Sequence, residues 1–257
     1  MRALLAMAVL GLGGCALAGR PPPSDPPLLD EGSLHVYLGP IPHEGRRLSF
    51  TVTGLSAVAE GGELVPLLLQ LDKVVAADQL RDERLLATGR LPPGRYQGLQ
   101  LSAVTARLEG EDGPTDLLLP AEPARIEAPF DVRRGRGAVL TLALDLGRSL
   151  QDGFGFTPTF TGLAPARPPP GLTGACVNTR SNDVTLYDTQ TRVVTGVVTT
   201  GLTPRGLALD APSGRAWVAS SGQDELEVLD LMRGEVIARI TLRGGDEPRA
   251  LQLLPDR

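Results

Sequence analysis

The chain has 257 residues, with 25 Lys plus Arg against 30 Asp plus Glu and a net charge of −5. That is room for one large or two modest domains, and it leaves no basic excess to grip a nucleic-acid backbone, so no nucleic-acid partner is expected. Gly (31) and Pro (23) are abundant, aromatics are 4%, and Lys73 is the sole lysine. This balance suits short strands joined by turns rather than long helices.

The first segment places Arg2 before an uncharged apolar run that stops at Cys15. The run is too short for a permanent membrane span and reads as an export signal. Leu12-Gly13-Gly14-Cys15 resembles the bacterial lipobox. The resemblance implies that residues 1–14 are a signal peptide and that Cys15 is the lipid attachment site and mature N-terminus. Acyl chains, at about 0.8 kcal/mol per buried methylene, would then hold the protein to a membrane. An ordinary secretory cut at Ala16-Leu17-Ala18 is the alternative. Ala16 stands where an Asp would signal inner-membrane retention in enteric bacteria, so the expected address is the outer membrane. Only one other cysteine follows, Cys176. With Cys15 acylated no intramolecular disulfide can form, and Cys176, in an apolar strand start, is expected to be a small buried hydrophobe.

Two proline-rich stretches divide the remainder. Arg20-Pro21-Pro22-Pro23-Ser24-Asp25-Pro26-Pro27 lies within an expected stalk, 15–32, of extended polyproline character. Ala164 to Gly171 has the same composition and lies within an expected linker, 164–173. Between them, residues 33–163 show strand alternation: Leu34, Val36 and Leu38; Phe50 and Val52; Leu99, Leu101 and Ala103; Leu140, Leu142 and Leu144. Lys73 to Leu86 is mixed and charged and fits a short helix or an ordered crossover. Leu91-Pro92-Pro93-Gly94-Arg95-Tyr96 is a turn leading into a strand, with Tyr96 placed to pack over a corner. These motifs, with Ala128-Pro129-Phe130-Asp131-Val132 and Leu140 to Leu150 leading to Phe156-Thr157-Pro158, resemble a bacterial lipoprotein module, domain of unknown function 4382. The resemblance implies a β-sandwich and brings no catalytic residue.

Residues 174–257 carry an internal repeat. Cys176-Val177-Asn178, running on to Val184-Thr185-Leu186-Tyr187-Asp188, recurs as Trp217-Val218-Ala219, running on to Leu226-Glu227-Val228-Leu229-Asp230. Asp188 and Asp230 are 42 residues apart, and Pro204-Arg205 is echoed by Pro248-Arg249. A period near 42 built from short strands marks a propeller blade. Val184, Leu186, Leu226 and Val228 are expected to face the core between units, with Glu225 and Glu227 pointing outward. The segment is similar to the YVTN-type β-propeller repeat, with Cys176 standing for the usual opening aromatic in the first unit and Trp217 keeping it in the second. That resemblance gives Asp188 and Asp230 the role of binding turn amides. Propellers close with four to eight blades, so two units predict an incomplete propeller: an interrupted gene, an incomplete gene model, or half-propellers closing by association.

Chemistry-bearing patterns are scarce. His35 and His43 have no Cys or carboxylate cluster at ligand spacing, and no His follows. No Gly-x-Ser-x-Gly, phosphate-binding Gly-Lys-Ser/Thr, His-Glu-x-x-His or Cys-x-x-Cys occurs. Arg133-Arg134-Gly135-Arg136 is a basic cluster that fits a solvated hairpin turn or contact with anionic lipid, and Glu109-Gly110-Glu111-Asp112-Gly113 fits a polar hairpin tip better than a calcium loop. The fold expected is all-β, a sandwich followed by two propeller-like blades. The function expected is a non-enzymatic envelope lipoprotein, an interaction scaffold held by Cys15 and engaging a protein or glycan. No catalytic residue, metal or cofactor is assigned. The alternative is the remnant of a lactonase- or quinoprotein-like propeller protein.

Overall fold

The computed structural model describes residues 30–110, 113–151 and 154–254. The expected leader 1–14, Cys15, the proline run at 20–27, and Glu111 and Asp112 lie outside them. The described residues are all-β, with helix limited to single turns. In chain order the strands are β1 (Gly32–Leu38), β2 (Leu48–Ala59), β3 (Leu64–Pro66), β4 (Leu68–Leu69), β5 (Lys73–Val75), β6 (Arg84–Leu91), β7 (Gly94–Gly110), β8 (Gly113–Asp116), β9 (Ala124–Val132) and β10 (Gly137–Leu144). One helical turn, α1 (Leu146–Ser149), precedes β11 (Leu150–Gln151), β12 (Gly155–Phe156) and β13 (Phe160–Leu163). Then come β14 (Thr173–Asn178), β15 (Asp183–Asp188), β16 (Val194–Thr199), β17 (Pro204–Asp210), β18 (Arg215–Ser220), β19 (Glu225–Asp230) and β20 (Glu235–Thr241).

Two sheets enclose the first core. One contains β10-β1-β6-β4, with β1 parallel to β10 and antiparallel to β6; the other runs β3-β2-β7-β8, with β5 on β2 and β9 on β7. Alternation decides what they bury. Leu34, Val36 and Leu38 of β1, Phe50 and Val52 of β2, Leu99 and Leu101 of β7, and Leu140, Leu142 and Leu144 of β10 all point into one cluster. Full burial of such a side chain contributes about 1.5–3 kcal/mol, so this cluster dominates the unit's stability. Tyr96 closes a corner: its hydroxyl donates to Pro92 O at 3.0 Å, and its ring stacks on Phe130 with centroids 5.0 Å apart.

The segment expected to be a helix or crossover is instead β5, a 3-10 turn at Ala76–Gln79 and the start of β6. Arg133 to Arg136 is not a hairpin. It turns the chain from β9 in one sheet to β10 in the other, with the Arg136 amide on Arg133 O at 3.1 Å.

The last seven strands form two three- or four-stranded antiparallel sets. β14-β15-β16 joins the first sheet through one bridge, Gly137 to Val197, so eight strands are continuous. Gly137 is required at that approach, because a Cβ there would meet Val197 O at 2.8 Å. β17-β18-β19-β20 is a separate four-stranded sheet. One face of β14–β16 (Ala175, Val177, Val184, Leu186, Val198) packs on one face of that sheet (Leu207, Ala216, Val218, Leu229) as a second buried cluster.

Candidate functional site

The repeat units are pinned by matching backbone captures. Asp188 Oδ1 accepts the Gln190 and Thr191 amides at 2.7 and 3.0 Å, and Asp230 Oδ1 accepts the Met232 and Arg233 amides at 2.9 and 2.8 Å. Each of these turns ends on a residue in the left-handed region, Arg192 (φ 62°) and Gly234 (φ 62°), whose amide returns to the Asp carbonyl at 2.8 Å. A second pair repeats in the same way. Asn182 (φ 58°) and Asp224 (φ 52°) accept the Thr203 and Glu247 amides at 2.8 and 2.7 Å. The amides of Gly245 and Glu247 hold the Asp224 carboxyl below the usual carboxylate range. The second pair was not singled out in the sequence; its signal is a short polar residue at the same offset before each Val/Leu-rich strand.

Strand pairing also fixes the register between units. Thr173 lies opposite Asp188, and Arg215 opposite Asp230, so Ala175 corresponds to Trp217 and Cys176 to Val218. The expected match of Cys176 to Trp217 is off by one residue. That slip turns Cys176 to the other face of β14, where it is exposed rather than buried. Glu227 departs from expectation in the opposite direction. It is 0% exposed, in the row Leu207–Val218–Glu227–Arg239 that faces β14–β16. Its Oε2 accepts the Gly201 amide and the Ser220 hydroxyl, each at 2.8 Å, and its Oε1 accepts Arg239 Nε at 3.1 Å. The carboxylate thereby ties the β16–β17 connection to the sheet. Leu226 and Val228 lie on the opposite face of that sheet.

A polar seam joins the first unit to the repeats. Val194 N donates to Glu83 Oε1, and Thr141 Oγ1 donates to Glu83 Oε2 at 3.4 Å. Arg192 pairs with Asp82 at 2.9 Å, and Arg136 pairs with Glu235. Burial, reinforced by Glu83 and Asp183, pushes the Tyr37 hydroxyl up to about 12. The Thr88 hydroxyl is spent as a donor to Leu34 O at 3.1 Å, so it accepts from His35 Nδ1 at 3.4 Å, leaving Nε2 to accept the Ser33 hydroxyl at 3.1 Å. Both imidazole nitrogens are satisfied in the neutral ring, and neither of the two grooves described below reaches Ser33.

Burial pushes the His35 pKa down, against the opposing pull of Asp183. Its folded value lies below the unfolded one, near 6.5. The stability from the neutral ring is therefore present above about pH 6.5 and lost as pH falls below it. Glu83 has the other sign: burial raises its pKa, so protonation relieves a cost as pH falls. As pH is lowered from 7 to 5.5, the urea midpoint of His35→Gln should gain on that of the parent, because the variant has no buried ring to protonate. A parent-like slope in His35→Gln would contradict this assignment.

Two surface grooves flank these elements. One, of about 190 Å³, lies over Arg95, Tyr96, Phe130 and Asp131. The other, of about 150 Å³, lies between Arg134, Arg136, Val198, Glu235 and Arg239, so the basic cluster faces the repeats. Arg167, from the proline-rich connector, bonds Met232 O at 2.9 Å and has its pKa lowered by burial and by Arg136. His43 lies on the surface, 3.0 Å from the Arg46 guanidinium. Among the described residues no group of three His, Cys, Asp or Glu side chains is placed to hold a metal, and no helix is long and apolar enough to cross a membrane.

No family model and no curated protein matches the chain. Hydrazine synthase of Kuenenia stuttgartiensis, a solved structure, is similar over 33% of this chain at 28% identity, with a TM-score of 0.30. The chain spans 24% of that protein's length. A likeness of that extent carries no argument about fold or function.

Proposed function

We propose that this protein is a non-enzymatic lipoprotein of the bacterial cell envelope, anchored through acylated Cys15, whose β-sandwich and propeller-like repeats serve as an interaction scaffold for a protein or glycan. The observation that carries the scaffold reading is the outer face of the four-stranded sheet. Strand register places Gly206, Ala219, Leu226 and Ile240 in one row and Ala208, Trp217, Val228 and Ala238 in the next. Ile240 is 45% exposed at the end of its row. Ala219 and Val228 on this face are already buried, so what it offers a partner is its apolar rim at Ile240. The turn captures repeating at 42-residue spacing support the propeller-like reading, since a stacked repeat buries its face only against a neighbour. The lipobox-like Leu12-Gly13-Gly14-Cys15 supports the anchor.

Metabolic labelling with a fatty-acid analogue tests the anchor. Label should appear in the parent chain and vanish in Cys15→Ala, with the variant moving from the membrane fraction to the soluble fraction. An unlabelled parent chain overturns the reading.

A further inference from the structure

The two repeat units differ by one strand. In the second unit the sheet begins with β17, paired to β18; in the first unit the strand corresponding to β18 is β14, and among the described residues β14 is an edge with no strand on its other side. Thr173–Asn178 therefore presents a free ladder, the arrangement that accepts an added strand. The chain also carries a segment of the missing kind. Pro248-Arg249-Ala250-Leu251-Gln252-Leu253-Leu254 repeats Pro204-Arg205-Gly206-Leu207-Ala208-Leu209-Asp210 of β17. It leaves its sheet in the same way, since Glu247 N is captured by Asp224 as Thr203 N is by Asn182. Yet among the described residues it pairs with no strand, and Leu253 and Leu254 are 41% and 79% exposed.

Its position shows why it does not serve its own β14. Ala250 lies against Gly206, where a Cβ would come within 2.9 Å of the Ala250 Cα. Gly206 shares a row with Ala219, Leu226 and Ile240, so the segment rests on the outer face of the four-stranded sheet. The free edge of β14 belongs to the other unit, whose apolar face is already buried against the inner face of that same sheet.

We propose that residues 248–254 of one copy add as a strand to the free edge of β14 in a second copy. One contact then supplies the missing strand and seats Leu251 beside the exposed Cys176. The contact is head-to-tail and repeats into a ring or an open string. It does not use the lipid anchor, so its failure leaves the Cys15 assignment standing.

The register is specific enough to test. Leu207 lies opposite Val218, which places Leu251 of one copy opposite Cys176 of the next. In the full chain carrying Cys15→Ala, Cys176 is the sole native thiol. Mild oxidation of Leu251→Cys in that background should give reductant-sensitive dimers and higher multiples on denaturing gels. Gln252→Cys, whose side chain points to the other face, should crosslink at least tenfold less. Leu253→Asp changes a residue already partly exposed in the single chain, so folding is spared. It should weaken association of the Cys15→Ala chain at least tenfold by sedimentation. Only monomers or internally closed chains from Leu251→Cys, equal crosslinking by Gln252→Cys, or unchanged association of Leu253→Asp would each overturn the proposal.

Discussion

Replacing Glu227 by Ala should lower the stability of the repeat region by about 3 kcal/mol, the scale on which breaking a buried ionic network acts. Gly201 N and the Ser220 hydroxyl would both lose their acceptor inside the interface between β14–β16 and the four-stranded sheet. Each unpartnered buried donor costs about 1–3 kcal/mol, and the void adds to that. Arg239 contributes less, because its side chain is 56% exposed and can return to water. Glu227→Gln keeps the shape and one acceptor oxygen, so its loss should be about half as large. Trp217, the sole tryptophan, lies one strand away in β18 and reports this region by fluorescence during urea unfolding. A midpoint for Glu227→Ala indistinguishable from the parent would contradict the network.

Phe156→Ala should be at least as damaging to the first unit, by about 3–5 kcal/mol. Phe156 is fully buried, its ring centroid 5.3 Å from Phe50, which in turn lies 6.5 Å from Phe160. Its backbone is held as well, the amide on Leu118 O at 2.8 Å, so the chain cannot slide to refill the space. The loss should appear in near-ultraviolet dichroism from the Tyr96–Phe130 stack. A Trp217 transition shifted as much as the dichroism would show the two cores unfolding together, whereas a dichroism transition unchanged from the parent would contradict the assigned packing.

The sequence made the strands legible because a one-sided core leaves an alternation of period two, and Leu34, Val36, Leu38, Leu140 and Leu142 all stand where that alternation puts them. It did not reveal which strands are neighbours. The parallel pairing of β1 with β10 joins segments about a hundred residues apart and leaves no local signature. The β-bulges along β2 and β7 interrupt the alternation, which is why Ala103 is only partly buried while Leu99 and Leu101 are buried. Glu227 was misread because charge is normally a sign of exposure, and what reverses it here is a backbone amide, a hydroxyl and an arginine supplied by three other segments. Cys176 was misplaced because an apolar match to Trp217 outweighed the Asp188–Asp230 anchor. One residue of slip moves a strand side chain to the other face. The roles of Asp188 and Asp230 were legible from the resemblance, since an Asp ending a strand before a polar turn has a local partner in the turn amides.

The chemistry of the chain's beginning decides most directly whether this is an envelope-tethered scaffold. Mass spectrometry of the N-terminal peptide of the protein recovered from membranes should find residues 1–14 removed and a mature terminus at Cys15 carrying diacylglycerol. An unmodified terminus at Met1, or a free thiol at Cys15 in a chain cut elsewhere, would contradict the account.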